Sequence, residues 1–196
     1  MSQKTIRLAL FASGSGSNVE NIINYFSDNE RVEIALILSN KSDALVHERA
    51  KRLGVPSFTL PKEDFRNPEN LLALLKQKQI DFIVLAGFLL LIPSALVQAY
   101  PNRIVNIHPA LLPKFGGKGM YGDRVHSAVV AAGEKESGIT IHFVNEHYDE
   151  GSIFFQAKCI VLPQDTSDDV ASKVHALEYK HFPEVIDSML KNEFGD

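Results

Sequence analysis

The chain has 196 residues, with 20 Lys and Arg against 24 Asp and Glu, a formal charge of -4, and 45% apolar and 22% charged residues. Those figures describe one ordinary globular domain able to bury a full core, and they carry no electrostatic footprint for nucleic acid or an anionic membrane. Its single cysteine, Cys159, excludes an internal disulfide and any cysteine-based zinc cluster.

Met1-Ser2-Gln3-Lys4 leads straight into a strand without a leader pattern, and the longest apolar run, 83–93, is too short to span a bilayer. A cytoplasmic protein with no membrane partner is expected. Ile6 to Phe11 reads as the first strand, apolar but for Arg7, followed by a glycine-serine turn. A helix is predicted from near Val19, with Ile22, Ile23 and Phe26 at helical spacing. Val32 to Leu38 reads as a strand ending at Ser39-Asn40, Asp43 to Leu53 as a helix closed by Gly54, and Val55 to Leu60 as a short strand. Asn67 or Pro68 opens a helix with Leu71, Leu72, Leu74 and Leu75 on its inner side. Phe82 to Ala86 is continuously apolar, as a parallel strand covered on both faces should be. A helix near Ser94 to Ala99 and a strand from Arg103 to Ile107 come next.

In the second half a helix is predicted over Val125 to Ala132. Strands follow at Gly138 to Val144 and Ile153 to Val161, joined by the polar loop 145–151. A last helix runs from Asp168 to His181, capped at Thr166 or Ser167 and continued past Pro183 to Lys191. The βαβα rhythm argues for a single-domain, Rossmann-like, doubly wound α/β fold. Its sheet is mostly parallel, with the two late strands as an antiparallel pair.

The stretch Val105-Asn106-Ile107-His108-Pro109 sets an amide and an imidazole two apart at a strand end, hence on one face. Pro109 ends the ladder. A catalytic edge and a buried, backbone-satisfied pair both fit these residues. Ser13-Gly14-Ser15-Gly16-Ser17-Asn18 lies at the first strand-to-helix turn, where free N–H groups and the helix dipole favour an anion. Val19 replaces the third glycine of a dinucleotide fingerprint and no Gly-Lys-Ser/Thr follows, which favours a monophosphate over a nucleoside triphosphate. A tight turn capped by Ser17 or Asn18 is the plainer alternative.

Tyr148-Asp149-Glu150-Gly151 occupies the loop between the late strands, where an acid before glycine is commonly a turn. Should that loop fold over the end of the 103–107 strand, Asp149 would meet His108, raise its pKa and relay a proton. Thr140 and His142 share a strand face and are candidates to line a pocket. The basic, glycine-rich Lys114 to Gly119 loop reads either as a mobile segment able to rearrange over a ligand or, equally, as a solvated surface loop. His47, His126, His147, His175 and His181 show no metal-ligand spacing, so no metal site is assigned. Cys159 reads as a buried strand thiol.

Together these pieces resemble the phosphoribosylglycinamide formyltransferase family, the glycinamide ribonucleotide transformylases of purine synthesis. The matching stretches, in order along nearly the whole chain, are 13–18, Ser39-Asn40-Lys41, 84–88, Asn106-x-His108-Pro109-x-Leu111-Leu112-Pro113, 138–144, Asp149, Gly151 and 156–158. The resemblance implies formyl transfer from the co-substrate 10-formyltetrahydrofolate to the amine of glycinamide ribonucleotide, by direct attack through a tetrahedral intermediate. It implies Asn106, His108 and Asp149 as the catalytic group, with Asp149 keeping His108 charged. Gly16, Ser17 and Asn18 would hold the ribonucleotide phosphate and Glu178 its ribose. Phe88, Leu89, Leu90, Leu91, Ile92, Thr140, His142, Val144, Asn145 and Tyr148 would receive the folate.

On this reading 1–102 is the phosphate-binding half and 103–196 the catalytic and folate-binding half, in a monomer or weak homodimer without metal or nucleic acid. Where the family often carries Met-Arg after Gly-Phe, this chain has Leu89-Leu90, so an arginine contact to folate is lost. The rival 10-formyltetrahydrofolate hydrolase is expected to add an N-terminal regulatory domain, and methionyl-tRNA formyltransferase a C-terminal one. A non-catalytic nucleotide-phosphate binding module, using only the 13–18 turn, is the alternative from another class.

Overall fold

The structure, a computed structural model, describes residues 4–195. Met1 to Gln3, on which the reading of the N-terminus partly rests, and Asp196 lie outside the described residues. The elements in chain order are β1 Ile6–Phe11, α1 Ser17–Phe26, β2 Val32–Ser39, α2 Val46–Leu53, β3 Ser57–Thr59, α3 Lys62–Arg66, α4 Glu69–Gln77 and β4 Phe82–Leu85. They continue with α5 Ser94–Ala99, β5 Ile104–His108, α6 Asp123–Ala131, β6 Glu136–Phe143, β7 Ile153–Ile160 and α7 Ser167–Phe194. The hydrogen-bonded strand order is β3-β2-β1-β4-β5-β6-β7, a seven-stranded, mostly parallel sheet. Two compact units divide the chain: one takes in the segment up to Asn106 with Val144–Glu146, the other Ile107–Phe143 with His147 onward. The chain passes from one to the other inside β5.

In the first unit β3, β2, β1, β4 and β5 are parallel neighbours, with Leu10 aligned to both Ile37 and Val84. The inner strands β1, β2 and β4 are apolar on both faces for most of their length because both faces are covered. Alternate residues Ala9, Phe11, Leu36, Leu38, Ile83 and Leu85 pack with Phe65 of α3, Leu71 and Leu75 of α4 and Leu96 of α5. Leu8, Leu10 and Ile37, pointing the other way, are equally inaccessible, on the face served by Val19 and Ile22 of α1. The chain leaves β1 outward through β2 and β3, then returns to β4 on the opposite side of β1. The carboxyl ends of β1 and β4 therefore flank a topological switch point, the usual seat of ligands in such sheets.

Several expected boundaries shift. The first helix begins at Ser17, before Val19, with Gly16 at its N-cap in the left-handed region (φ 74°). The second helix starts at Val46, because Lys41 to Leu45 first turn back, Ala44 N–H donating to the Lys41 carbonyl. The third strand is shorter than 55–60: Pro56 has no N–H for a ladder, and only its carbonyl serves, accepting from Ile37. Helix α3, unannounced by any periodicity in its charged Lys62-Glu63-Asp64 start, was not expected.

In the second unit β6 and β7 are antiparallel, as expected, with Thr140 opposite Gln156. The 28-residue α7 runs through Pro183 from a capping box in which Thr166 and Asp169 satisfy each other's N–H groups. Cys159 is half-buried rather than buried, since β7 ends the strand order and has a neighbour on one side only. Burial still pushes its thiol pKa up, which keeps it in the inert form.

Candidate active site

In the second unit the end of β5, the end of β6 and the loop after it bring three side chains together. His108 is buried, and its Nδ1 lies 3.5 Å from Asp149 Oδ2. His142 is buried too, with Nε2 3.6 Å from Asp149 Oδ1. The carboxylate thus has an imidazole on each oxygen, and Gly117 N–H donates to Oδ2 at 3.0 Å. On its far side each ring faces a backbone carbonyl: His108 Nε2 is 2.8 Å from Phe115 O, and His142 Nδ1 is 2.9 Å from Phe143 O. A carbonyl only accepts, so His108 Nε2 carries a proton and its Nδ1 turns to the acid.

Burial opposes the charge on Asp149. His142, His108 and the Gly117 N–H together outweigh it and hold the carboxyl below the ordinary carboxylate range. For His108 the balance runs the other way: burial dominates the attraction of Asp149 and the Phe115 carbonyl, and its pKa is lowered. The expectation that Asp149 keeps His108 charged is therefore corrected. The lowered pKa favours the neutral ring at neutral pH, with Nδ1, 3.5 Å from the Asp149 carboxylate, as the nitrogen that accepts a proton. Phe115 and Asp149 both sit at φ 56°, a region a bulky side chain rarely adopts. Such conformations persist where surroundings impose them, and they collect at functional sites.

Neighbouring residues fasten this arrangement. Thr140, fully buried on β6, donates to Ala110 O at 2.7 Å and accepts from Leu112 N–H at 3.0 Å and Gln156 Nε2 at 2.8 Å. Its hydroxyl secures the segment leaving His108 instead of standing open to a ligand. Asn106 lies on β5, aligned with Leu85 of β4 in the first unit. Glu178, expected at the ribose, is buried on α7 with His175 Nδ1 3.0 Å from Oε2, an interaction that raises the His175 pKa. Beside it His126 is buried against the His175 ring, and its Nδ1 has no hydrogen-bond partner among the described residues.

In the first unit the glycine-serine turn stands at the switch point. Ser13 is structural: its N–H donates to Gly87 O at 3.0 Å, its hydroxyl donates to Asn40 Oδ1 at 2.6 Å, and it accepts Leu89 N–H at 2.9 Å. Gly16 is needed twice over, for its left-handed φ and because a Cβ there would lie 2.4 Å from Val46 Cγ2. Ser17 and Asn18 open α1 with no side-chain cap, which leaves the helix N-terminus to the backbone. Of the expected folate wall, Phe88 and Ile92 are core residues, Phe88 packing on Phe11 and Phe65, and Leu90 leans on the same core. Leu89 and Leu91 alone of that stretch are exposed. Val144, whose N–H donates to Ile104 O at 2.9 Å, Asn145 and Tyr148 are half-buried.

His142 as the second partner of Asp149 was missed, although Thr140 and His142 alternate visibly on a strand. Among the described residues no cluster of side chains could hold a metal ion, and no helix is long and apolar enough to cross a membrane.

A match to the formyl transferase family covers residues 6–186. The chain is 45% identical over 186 residues to the chloroplastic phosphoribosylglycinamide formyltransferase of Arabidopsis thaliana, covering 92% of this chain and 64% of that protein. It thus spans less than two thirds of that relative's length. It is 36% identical over 189 residues to the phosphoribosylglycinamide formyltransferase of Bacillus subtilis, covering 94% of each. Among solved structures, the phosphoribosylglycinamide formyltransferase of Anaplasma phagocytophilum superposes with a TM-score of 0.87 at 31% identity, over 96% of this chain and 89% of that one.

Proposed function

This chain belongs to the formyl transferase family, and from that premise we propose that it moves a formyl group from 10-formyltetrahydrofolate to the primary amine of glycinamide ribonucleotide, a step of purine synthesis and one-carbon metabolism. The observation that carries the reading is the His108–Asp149 pair at 3.5 Å, set two residues beyond Asn106 and held by Gly117 and His142.

The chemistry needs these residue types. Attack of the amine on the formyl carbon puts negative charge on the formyl oxygen, and a preorganised donor there lowers the barrier. The Asn106 amide and the His108 Nε2–H are the donors in this proposal, Nε2 turning from the Phe115 carbonyl to the substrate. The attacking amine becomes cationic and loses a proton. Neutral His108 Nδ1 and the Asp149 carboxylate form the pair that takes it up, and the same pair returns it to the folate nitrogen as the carbon–nitrogen bond breaks. No covalent intermediate on the chain is involved.

The ribonucleotide phosphate is assigned to the backbone of Gly16, Ser17 and Asn18, and its ribose to Glu178. For the folate, exposed Leu89 and Leu91 offer apolar side chains and Val144, Asn145 and Tyr148 backbone groups; His142 enters through Asp149. Cytoplasmic residence and a monomeric or weakly dimeric state belong to the same proposal.

The deciding experiment supplies the purified protein with 10-formyltetrahydrofolate and compares glycinamide ribonucleotide with water as acceptor. Release of tetrahydrofolate with stoichiometric formylglycinamide ribonucleotide is expected. Release of formate at the same rate without the ribonucleotide would make the protein a hydrolase. No turnover, with retained phosphate binding, would leave only a binding module.

A further inference from the structure

We propose that Arg49 on α2 is the positioning residue of the 13–18 turn, setting affinity for the phosphate half of the acceptor without touching it. The inference rests on the assignment of the acceptor phosphate to that turn. Arg49 Nε donates to the Ser15 carbonyl at 2.7 Å, and Val46 N–H, one helical turn earlier, donates to the Gly14 carbonyl at 3.1 Å. Two successive carbonyls of the turn are therefore drawn towards α2. Across a trans peptide the next residue's N–H points opposite to the carbonyl. The N–H groups of Ser15 and Gly16 consequently face away from α2, and Gly16 is the first of the backbone donors assigned to the phosphate, so the pull on the Ser15 carbonyl aims the Gly16 N–H.

Two further contacts fix the guanidinium itself. Its Nη1 donates to Glu20 Oε2 on α1, while Arg52 Nη2 reaches Glu20 Oε1 at 2.7 Å. The Glu20 carboxyl is held below its usual range, by Arg52 first and by Arg49 with it, against a counteracting desolvation. Arg49 alone of this trio spans both helices and the turn: one arm grips the helix that the turn opens, the other the turn's own backbone. A planar fork does this where a lysine, a point charge on a flexible stem, does not.

The test is a kinetic split in the whole protein. Arg49→Gln is expected to raise KM for glycinamide ribonucleotide about tenfold, the equivalent of one charge-assisted hydrogen bond. The kcat and the KM for 10-formyltetrahydrofolate should stay within about twofold, the scatter expected of a residue outside the reacting atoms. Inorganic phosphate, used as a competitive inhibitor, should lose affinity in parallel. Arg49→Lys, which keeps the charge, should resemble Arg49→Gln, and Arg52→Gln, which shares Glu20 but not Ser15, should resemble wild type.

A wild-type KM in Arg49→Gln, or its restoration by lysine, overturns the inference; so does a loss confined to kcat. Either lysine or glutamine, if folded to the wild-type melting temperature, suffices to decide. Should the wild-type protein itself transfer nothing to glycinamide ribonucleotide, the acceptor assignment fails first, an outcome that the variants do not mimic.

Discussion

At the scale of single residues the site turns on a buried imidazole that is neutral and a half-buried acid that is not. His108→Ala should lower kcat/KM by about 10²–10⁴, the usual worth of a placed general acid or base. Asp149→Asn should do the same by removing the counter-charge of the protonated ring. Steady-state kinetics on both variants check this, and near-normal turnover in either removes the mechanism. The same two groups make stability depend on pH. Unfolded, His108 and Asp149 return to about 6.5 and 3.8, and folded, both lie lower. The unfolded chain then binds more protons in each interval, so stability rises with pH there. The His108 contribution is complete above pH 6.5 and is lost as pH falls through its folded value; that of Asp149 is lost below 3.8. His175, with a raised pKa, runs oppositely, its contribution present below 6.5 and lost as pH rises through its folded value. On going from about pH 7 to about pH 5, the melting temperature of His108→Asn should therefore fall less than that of wild type. Equal falls would mean that burial does not discharge the ring.

At the scale of elements, the loop between β6 and β7 holds Asp149 only because Gly151 lets the strands close. A Cβ on Gly151 would lie 1.6 Å from the Phe143 carbonyl oxygen, the atom that also accepts from His142 Nδ1. Backbone cannot yield as a side-chain tip does, so Gly151→Ala should cost at least the 1–3 kcal/mol typical of overpacking, about 2–12 °C of melting temperature in a chain of this size. A thermal melt within about 1 °C of wild type would show that the loop adapts. This element also marks what a sequence discloses. The predominantly apolar runs of β1 and β2, the continuous one of β4 and the Thr166 cap of α7 are local signals, and there expectation and structure coincide. The meeting of Asp149 with His108 was legible as a conditional, because loop length and strand order permitted it. That the same acid also meets His142, or that Arg49 grips Ser15 thirty-four positions away, depends on packing that no local pattern carries. Charge state was the least legible: pairing alone argued for a protonated His108, whereas the depth of burial, known only from the fold, reverses the sign.

At the scale of the whole molecule the proposed functions divide between the two units, the phosphate turn at 13–18 in the first and the His108–Asp149 pair in the second. Binding and chemistry should therefore be separable by mutation. Any ligand that binds only the folded chain stabilises it by RT ln(1 + [L]/Kd), about 2.7 kcal/mol at a hundred times Kd. For a protein of this length that is a rise of about 5–11 °C in melting temperature. Glycinamide ribonucleotide should produce this rise in wild type and equally in His108→Ala, whose first unit is untouched while its turnover is lost. Gly16→Val should show the reverse dependence. The new side chain must share space with Val46 Cγ2, 2.4 Å from where its Cβ begins, and a β-branched residue must hold φ 74°. The turn can then accept the strain only by moving its N–H groups, and the ligand-induced rise should shrink, while an unchanged rise in Gly16→Val would take the phosphate away from this turn. Because the ribonucleotide lacks the formyl donor, the shift reads binding alone, so its persistence in His108→Ala and its loss in Gly16→Val would assign the two functions to two places in one chain.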